Sequence, residues 1–291
     1  MKSRPILAGI GELLWDFLPS GKQLGGAPCN FVFHAMQAGC DGYIVSAIGK
    51  DELGIELKHN LRELGLSNQY VQENKFPTST VTIKLDENGH PDFAIHKNIA
   101  WDHIYWNHGM EKLAKEVDAV CFGSLAQRNP ESEHSIVSFI KATRPECLRV
   151  FDINLRQNYY SKEIIISALN LSDILKLNED ELAVVSGYLG FKGDFDKQLD
   201  QIFSYFNLKY IVYTLGSKGS IIISAKESSF AEVPKVQVAD TVGAGDSFTA
   251  IFITGILKGI PLKKIHKKAT EISAYVCTQK GATPKLTQKI F

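Results

Sequence analysis

Asp118-Ala-Val-Cys-Phe122, Glu131-Ser-Glu-His-Ser-Ile-Val-Ser-Phe-Ile-Lys-Ala142 and Arg149-Val-Phe-Asp-Ile153 follow one another as an apolar run, a helix-like stretch and a second apolar run. Runs that short and that continuously apolar suit strands covered on both faces. An intervening helix is the crossover that parallel strands need. The same rhythm extends outward. Pro5-Ile-Leu-Ala-Gly-Ile-Gly11 reads as a buried first strand closed by glycines, and Tyr43 to Ile48, Ile174 to Leu177 and Tyr210 to Leu215 read as further strands. Helix-like stretches at about Ala27 to Ala38, Asp51 to Leu64, Ser161 to Leu171 and Glu179 to Ser186 lie between them. This alternation predicts an α/β fold, a doubly wound and mostly parallel sheet with helices on both faces.

One region breaks the rhythm. Ser79-Thr-Val-Thr-Ile-Lys-Leu85 alternates with period two, Glu87-Asn88-Gly89 is a turn, and Pro91-Asp-Phe-Ala-Ile-His96 alternates again, which predicts a hairpin with one wet face. A second hairpin is predicted from Leu14-Trp-Asp-Phe-Leu18, a turn at Pro19-Ser-Gly21, and Lys22 to Leu24. Two hairpins among βα units suggest a small β-sheet lid on a larger body, useful where water must be kept from a reactive intermediate. An edge extension with no gating role would leave the same pattern.

The chain has 291 residues, 32 Lys plus Arg and 32 Asp plus Glu, and 44% hydrophobic residues. At about 150 residues per domain, that length allows two domains or one large one. With no linker in sight, a single domain over 1–291 is expected, its lid formed by about 13–24 and 79–100. The formal charge is zero, and the one local basic cluster is Lys263, Lys264, Lys267 and Lys268, so nucleic acid is not an expected partner. The apolar run Ala250 to Leu257 is interrupted by Thr254 and Gly255 and is too short to cross a bilayer. No membrane association is expected, and the absence of an export-type leader points to the cytoplasm. Cys29, Cys40, Cys121, Cys147 and Cys277 are odd in number and contain no C-x-x-C, which predicts free, mostly buried thiols.

Several glycine clusters invite over-reading. Gly9-Ile-Gly11-Glu-Leu-Leu14 lacks the third glycine of a dinucleotide fingerprint, which disfavours a Rossmann dehydrogenase. No G-x-x-x-x-G-K-[ST] occurs, and the eight histidines have no paired metal spacing.

The informative segment is Asp240-Thr-Val-Gly-Ala-Gly-Asp246, which runs straight into the apolar stretch Ser247 to Lys258. Gly243, Ala244 and Gly245 let successive N–H groups converge at a helix N-terminus, an anion cradle built without a lysine. Asp246 falls in the first helical turn. An acid there complements the helix dipole, or it serves as the base that accepts a proton from an attacking hydroxyl.

A second cluster, Gly25-Gly-Ala-Pro-Cys-Asn30, also opens a helix. Gly25 and Gly26 permit close approach of backbone to ligand, and Pro28 suits an early helical position. Asn30 offers donor and acceptor, and Asp16 could accept from two neighbouring hydroxyls. An amide capping a helix and a charge on a lid surface are the plainer readings of these two. Asp152-Ile-Asn154-Leu-Arg156 places polar groups at a strand's carboxyl end, where open α/β sheets bind ligands. Asn178 and Glu181, three apart on a starting helix, could serve a hydrated Mg²⁺ or form a capping box. Thr214-Leu-Gly216-Ser-Lys-Gly219 reads as a glycine turn.

Taken together, these residues resemble the ribokinase-like (PfkB) family of carbohydrate kinases over nearly the whole chain. The motif at 240–246 matches the family's D-T-x-G-A-G-D, and Gly25 to Asn30, with Gly39 and Gly49, matches its N-terminal pattern. The resemblance implies an ATP-dependent sugar kinase with Gly243, Ala244 and Gly245 as anion hole and Asp246 as base. It implies Asn178 and Glu181 near magnesium and phosphate, and Thr214, Gly216, Gly219, Gly281 and Ala282 around the nucleotide. Gly11 to Asp16, Phe122-Gly-Ser-Leu-Ala-Gln-Arg128 and Asp152 to Arg156 look most like bacterial fructokinases. That implies Asp16, Gly25, Gly26 and Asn30 on sugar hydroxyls and Arg156 at the phosphate or the sugar's far end.

The cofactors so implied are ATP and Mg²⁺, with a monovalent cation such as K⁺ left open. Fructose is the acceptor so implied, and a homodimer through the lid is left open. Val32, Ile251 and Thr270 depart from the family's usual residues. A 2-keto-3-deoxygluconate kinase using Arg156 or Arg128 on the acceptor carboxylate remains an alternative, as does a non-catalytic sugar or nucleotide sensor.

Overall fold

Side chains alternate across a strand, so a run that is apolar at every position must be covered on both faces. β1 (Ile6–Ile10) shows this, with Leu7 in one core and Ala8 and Ile10 in the other. The computed structural model describes residues 4–18, 21–85, 91–286 and 290. After β1 come β2 (Leu14–Leu18), β3 (Gly21–Gly25), α1 (Ala27–Gln37), β4 (Asp41–Gly49), α2 (Glu52–Glu63) and β5 (Val71–Asn74). Then follow β6 (Ser79–Leu85), β7 (Pro91–Ile95), α3 (His108–Glu116), β8 (Ala119–Phe122), α4 (Pro130–Ala142), β9 (Leu148–Asp152) and α5 (Lys162–Asn170). The chain continues through β10 (Ile174–Asn178), α6 (Glu179–Leu189), α7 (Phe195–Tyr205), β11 (Tyr210–Thr214), β12 (Ser220–Ser224), β13 (Ser228–Ala231), α8 (Ala244–Leu257) and α9 (Leu262–Cys277).

The large sheet has the order β13-β12-β11-β10-β9-β8-β1-β4-β5. It is parallel from β5 to β11, and β12 and β13 return antiparallel. One face packs on α3 to α7 through Met110, Phe139, Ile165, Leu182 and Leu199, the other on α1, α2, α8 and α9 through Phe31, Leu57, Phe252 and Ile265. This is the doubly wound architecture expected from the alternation. Strand order reverses at β1, which has β4 on one side and β8 on the other, so the ligand-binding switch point lies at the carboxyl ends of β1 and β8. None of the described helices is long and apolar enough to cross a membrane. All five cysteines are free, and four are buried.

The two predicted hairpins form one separate sheet, β3-β2-β6-β7, joined by a parallel pairing of β2 with β6 that no local signal announces. The predicted turn residues Pro19, Ser20 and Glu87 to Gly89 lie outside the described residues. Asp51 anchors this sheet. Its carboxylate caps α2 through Gly54 N–H (2.8 Å) and also accepts from Thr78 N–H (2.7 Å) and Oγ1 (2.6 Å), just before β6. From β2, Trp15 Nε1 donates to Leu53 O (3.0 Å) on α2.

Candidate active site

Gly243, in the left-handed region at φ 77, is the N-cap of α8, and no side chain caps the helix. The first N–H groups of a helix have no intrahelical acceptor, so this bare end keeps them available to an anion. A Cβ on Gly243 would lie 2.7 Å from Ala282 O, so the cradle packs directly on the Gly281–Ala282 loop. Asp240 ties the two together by accepting from Val242 N–H (3.0 Å) and Gly281 N–H (3.2 Å). On the far side, His34 Nε2 lies 2.9 Å from Ala282 O, and burial holds this imidazole down to about 4.

Asp246, in the first turn of α8, accepts from Asn30 Nδ2 at 2.8 Å. Asn30 comes from α1, which starts directly after Gly26 with Pro28 in its first turn. Gly26 (φ 112) is required there, because a Cβ would lie 2.4 Å from Glu12 O. Burial pushes the Asp246 carboxyl up to about 7, with Asp152 adding to the effect and the Asn30 bond and Lys176 opposing it. Beside it lies a cavity of about 10 Å³ bordered by Ala27, Cys121, Gly123, Asp152 and Asn154, room for about one water.

Lys176 was not singled out by the motifs. It leaves β10 to meet both Asp152 oxygens at 2.9 Å, and a Cβ on Gly245 would lie 3.1 Å from its Nζ. The cradle therefore has a lysine after all, delivered from another strand. Burial works against this ammonium, but Asp152 and Glu181 outweigh it and keep it charged. Glu12, at the end of β1, is a second unanticipated member. It is buried, its Oε2 has no partner among the described residues, and burial raises its carboxyl.

The remaining candidates divide. Asp16 on β2 is pushed up to about 6 by burial, with Asp240 adding and Arg156 opposing. A Cβ on Gly25 would lie 2.2 Å from Asp16 Oδ2, so the glycine admits the carboxylate. Arg156 is exposed and donates to its neighbour's carbonyl, Leu155 O (3.1 Å). Asn178 and Glu181 form a full capping box on α6: Glu181 N–H donates to Asn178 Oδ1 (2.9 Å), and Asn178 N–H to Glu181 Oε2 (2.8 Å). Leu155 N–H donates to Glu181 Oε1 (3.0 Å), so both oxygens already have backbone partners.

Thr214, Gly216 and Gly219 form the β11–β12 turn at the same sheet edge. Gly219 (φ 132) allows Ala231 O to approach. This turn touches α6 through an ion pair of Lys218 with Glu179 (3.3 Å). Next to the Gly281 loop, a cavity of about 480 Å³ is walled by Pro234, Val236, Ile272, Ala274, Tyr275 and Leu286. Of these, none was marked by a motif.

Arg128, the other arginine considered for an acceptor carboxylate, is already bound. Its Nε and Nη2 meet Asp102 at 2.8 and 3.0 Å, both side chains are buried (6% and 2% exposed), and its guanidinium carbon lies 4.2 Å from the centre of the Trp101 ring and 4.5 Å from that of Tyr159. Among the described residues no group of three His, Cys, Asp or Glu side chains could hold a metal unaided.

A model of the pfkB family of carbohydrate kinases matches residues 20–289. The ATP-dependent 6-phosphofructokinase of Thermoanaerobacterium thermosaccharolyticum is 27% identical over 290 residues, covering 94% of this chain and 88% of that protein. The fructokinase of Escherichia coli is 26% identical over 302 residues, covering 95% and 94%. A sugar kinase of Pyrococcus horikoshii, whose crystal structure is in complex with ATP, superposes with a TM-score of 0.80 at 26% identity over 95% of this chain and 94% of that one.

Proposed function

Because the chain belongs to the pfkB family of carbohydrate kinases and is an ATP-dependent sugar kinase, we propose that it phosphorylates a primary hydroxyl of a neutral ketohexose, fructose, with Asp246 as base. The observation that carries this is the placement of Asp246, held by Asn30 from α1 at the mouth of an uncapped helix. Asp246 accepts the hydroxyl proton as the acceptor oxygen bonds to the γ-phosphorus and the bond to the β–γ bridging oxygen breaks, releasing ADP. Such transfers pass through a loose transition state, so positioning and charge stabilisation do most of the work. The amides at Gly243, Ala244 and Gly245 face the transferring group, and Lys176 adds positive charge beneath Gly245.

On the acceptor side, Asp16, Asn30 and the bare backbone at Gly25 and Gly26 bind hydroxyls, with Arg156 at the rim. The small sheet closes over them as a lid. A neutral acceptor is favoured over a sugar acid because the fork of Arg128 that would grip a carboxylate already holds Asp102, and separating a buried ion pair costs roughly 3–5 kcal/mol. On the nucleotide side, the cavity between Pro234 and Tyr275 takes the adenine, flanked by Gly281 and Ala282, while Asn178, Thr214, Gly216 and Gly219 border the phosphates and ribose.

Mg²⁺ would be carried by the ATP phosphates and neutralise their charge. Glu181, its oxygens already on amides, would reach the ion through water. Free thiols fit a cytosolic setting.

The test is ADP release with Mg²⁺ and ATP across fructose, ribose, glucose, fructose 6-phosphate and 2-keto-3-deoxygluconate. Fructose should give the highest kcat/KM. Greater turnover on an anionic acceptor would replace the sugar and keep the chemistry, and silence with every acceptor would favour the sensor reading.

A further inference from the structure

A side chain of the small sheet, Gln23, lies against the nucleotide-side loop. Gln23 on β3 pairs directly with Asp16 on β2, and directly opposed residues of an antiparallel pair project from the same face. Gln23 then reaches across to Gly281, where a Cβ would lie 2.3 Å from its Oε1 and 3.1 Å from its Cδ. Glycine at 281 (φ 78) thus answers a close approach as well as a left-handed backbone.

From Gly281 the contacts continue without a gap. Its N–H donates to Asp240 Oδ2 (3.2 Å), Asp240 Oδ1 accepts from Val242 N–H (3.0 Å), and Ala282 packs against Gly243 at the base of the cradle. Ala282 O also meets His34 of α1, the helix that carries Asn30. The acceptor-side carboxylate and the phosphate-side amides are therefore joined through one amide side chain.

We propose that Gln23 is a positioning residue that couples the two substrates: seated against the Gly281 loop, it makes an occupied acceptor site favour the nucleotide-binding arrangement, and the reverse. The inference rests on the sugar-kinase reading above, with Asp16 on the acceptor and the 281–282 loop on the nucleotide. A sugar bound to Asp16 fixes the β2–β3 pair and keeps Gln23 on the loop, whereas a sheet lifted away removes that contact. The two states thus differ in a contact that each ligand biases, which is what coupling between sites requires, and linkage makes the effect reciprocal.

The experiment is calorimetric titration of Mg²⁺-ADP into the enzyme with and without saturating fructose, for the wild type and Gln23→Ala. Fructose should tighten ADP binding to the wild type at least about fivefold, the low end of common coupling factors. In Gln23→Ala that factor should fall below about twofold, while ADP affinity in the absence of sugar stays within about twofold of the wild type. A merely structural role would weaken ADP binding alone or lower the melting temperature, leaving the coupling factor intact. An unchanged factor in Gln23→Ala, or no coupling in the wild type, overturns the coupling. A wild type that binds ADP but no fructose overturns the acceptor assignment, and the coupling falls with it.

Discussion

Replacing Asp246 by Asn should stabilise the protein at alkaline pH while abolishing most of its activity. A carboxyl held at about 7 against an ordinary 3.8 corresponds, at about 1.36 kcal/mol per pH unit, to about 4 kcal/mol between its two protonation states. With the folded value raised, the protonated form stabilises the fold. That contribution is complete below the unfolded value and is lost as pH rises through about 7. Between pH 5 and pH 8 the wild type should therefore lose at most about 2.7 kcal/mol at this site. The side chain is only partly shielded from solvent, so about 1–2 kcal/mol is the reasonable share after screening. Asn keeps an oxygen for Asn30 Nδ2 and does not titrate. Melting curves at pH 5 and pH 8 should show the gap between Asp246→Asn and wild type widening by about 2–4 °C, at about 2 °C per kcal/mol for a chain of this size. The same variant should lose at least about a hundredfold in kcat, within the range of general bases, with fructose affinity little changed. Wild-type kcat/KM should rise with pH through about 7 as the base deprotonates. A gap that is constant or narrows with pH would refute a carboxyl held protonated near neutrality, and a near-wild-type kcat would refute the base.

Asp16→Ala should raise the fructose KM by about 10- to 100-fold, the range for hydrogen bonds to a charged group, leaving kcat nearly unchanged. Wild-type KM should rise as pH falls below about 6, where Asp16 protonates. Lys176→Met should destabilise by about 3–5 kcal/mol through the abandoned Asp152 charge. Pairing it with Asp152→Leu should restore stability and not activity, and recovery of both would exclude Lys176 from the site. Glu181→Gln should cost about 0.5–2 kcal/mol by weakening the capping box and should raise the Mg²⁺ needed for half-maximal rate, where an unchanged Mg²⁺ curve leaves only the cap. Pairing of two copies through the small sheet, where Phe17 stays 39% exposed, should give a dimer in sedimentation at micromolar concentration that Phe17→Glu dissociates. A wild-type monomer would refute it.

The parts of the fold that were legible are those with local causes. Strand and helix periods, the proline opening α1 and the glycine before it, and the acid–amide spacing at Asn178 and Glu181 all report on a few neighbouring residues, and each appears where its pattern places it. What escaped depends on long-range pairing. Nothing in Leu14 to Leu18 says that it will lie parallel to Ser79 to Leu85, because which strands of two separate hairpins meet at the centre of the sheet is decided by the whole fold. Arg128 looked available for a ligand until Asp102, twenty-six positions earlier, took its Nε and Nη2 as a bidentate pair. The apolar wall of Pro234, Val236 and Tyr275 combines a loop with a helix distant in sequence, and scattered apolar residues carry no motif.

Lys176 is the instructive omission, because one signal was present. In Ile174-Leu-Lys-Leu-Asn178 a lysine interrupts a strand whose neighbours on both sides are buried, and a lysine so placed must find a partner. Charge arithmetic at the site says which one. Glu12, Asp152, Glu181 and Asp246 converge on the space before the cradle, and a phosphoryl group arriving there would add to their mutual repulsion. Half a charge at a helix end is small against this group of carboxyls, even with burial raising Glu12 and Asp246 towards their neutral forms. One ammonium locked to Asp152, close to Glu181 and Asp246 and lying under Gly245, lowers that repulsion where a phosphoryl group would pass. The motif at 240–246 supplies directional N–H groups, and the local positive charge beside them comes from a strand of the large sheet.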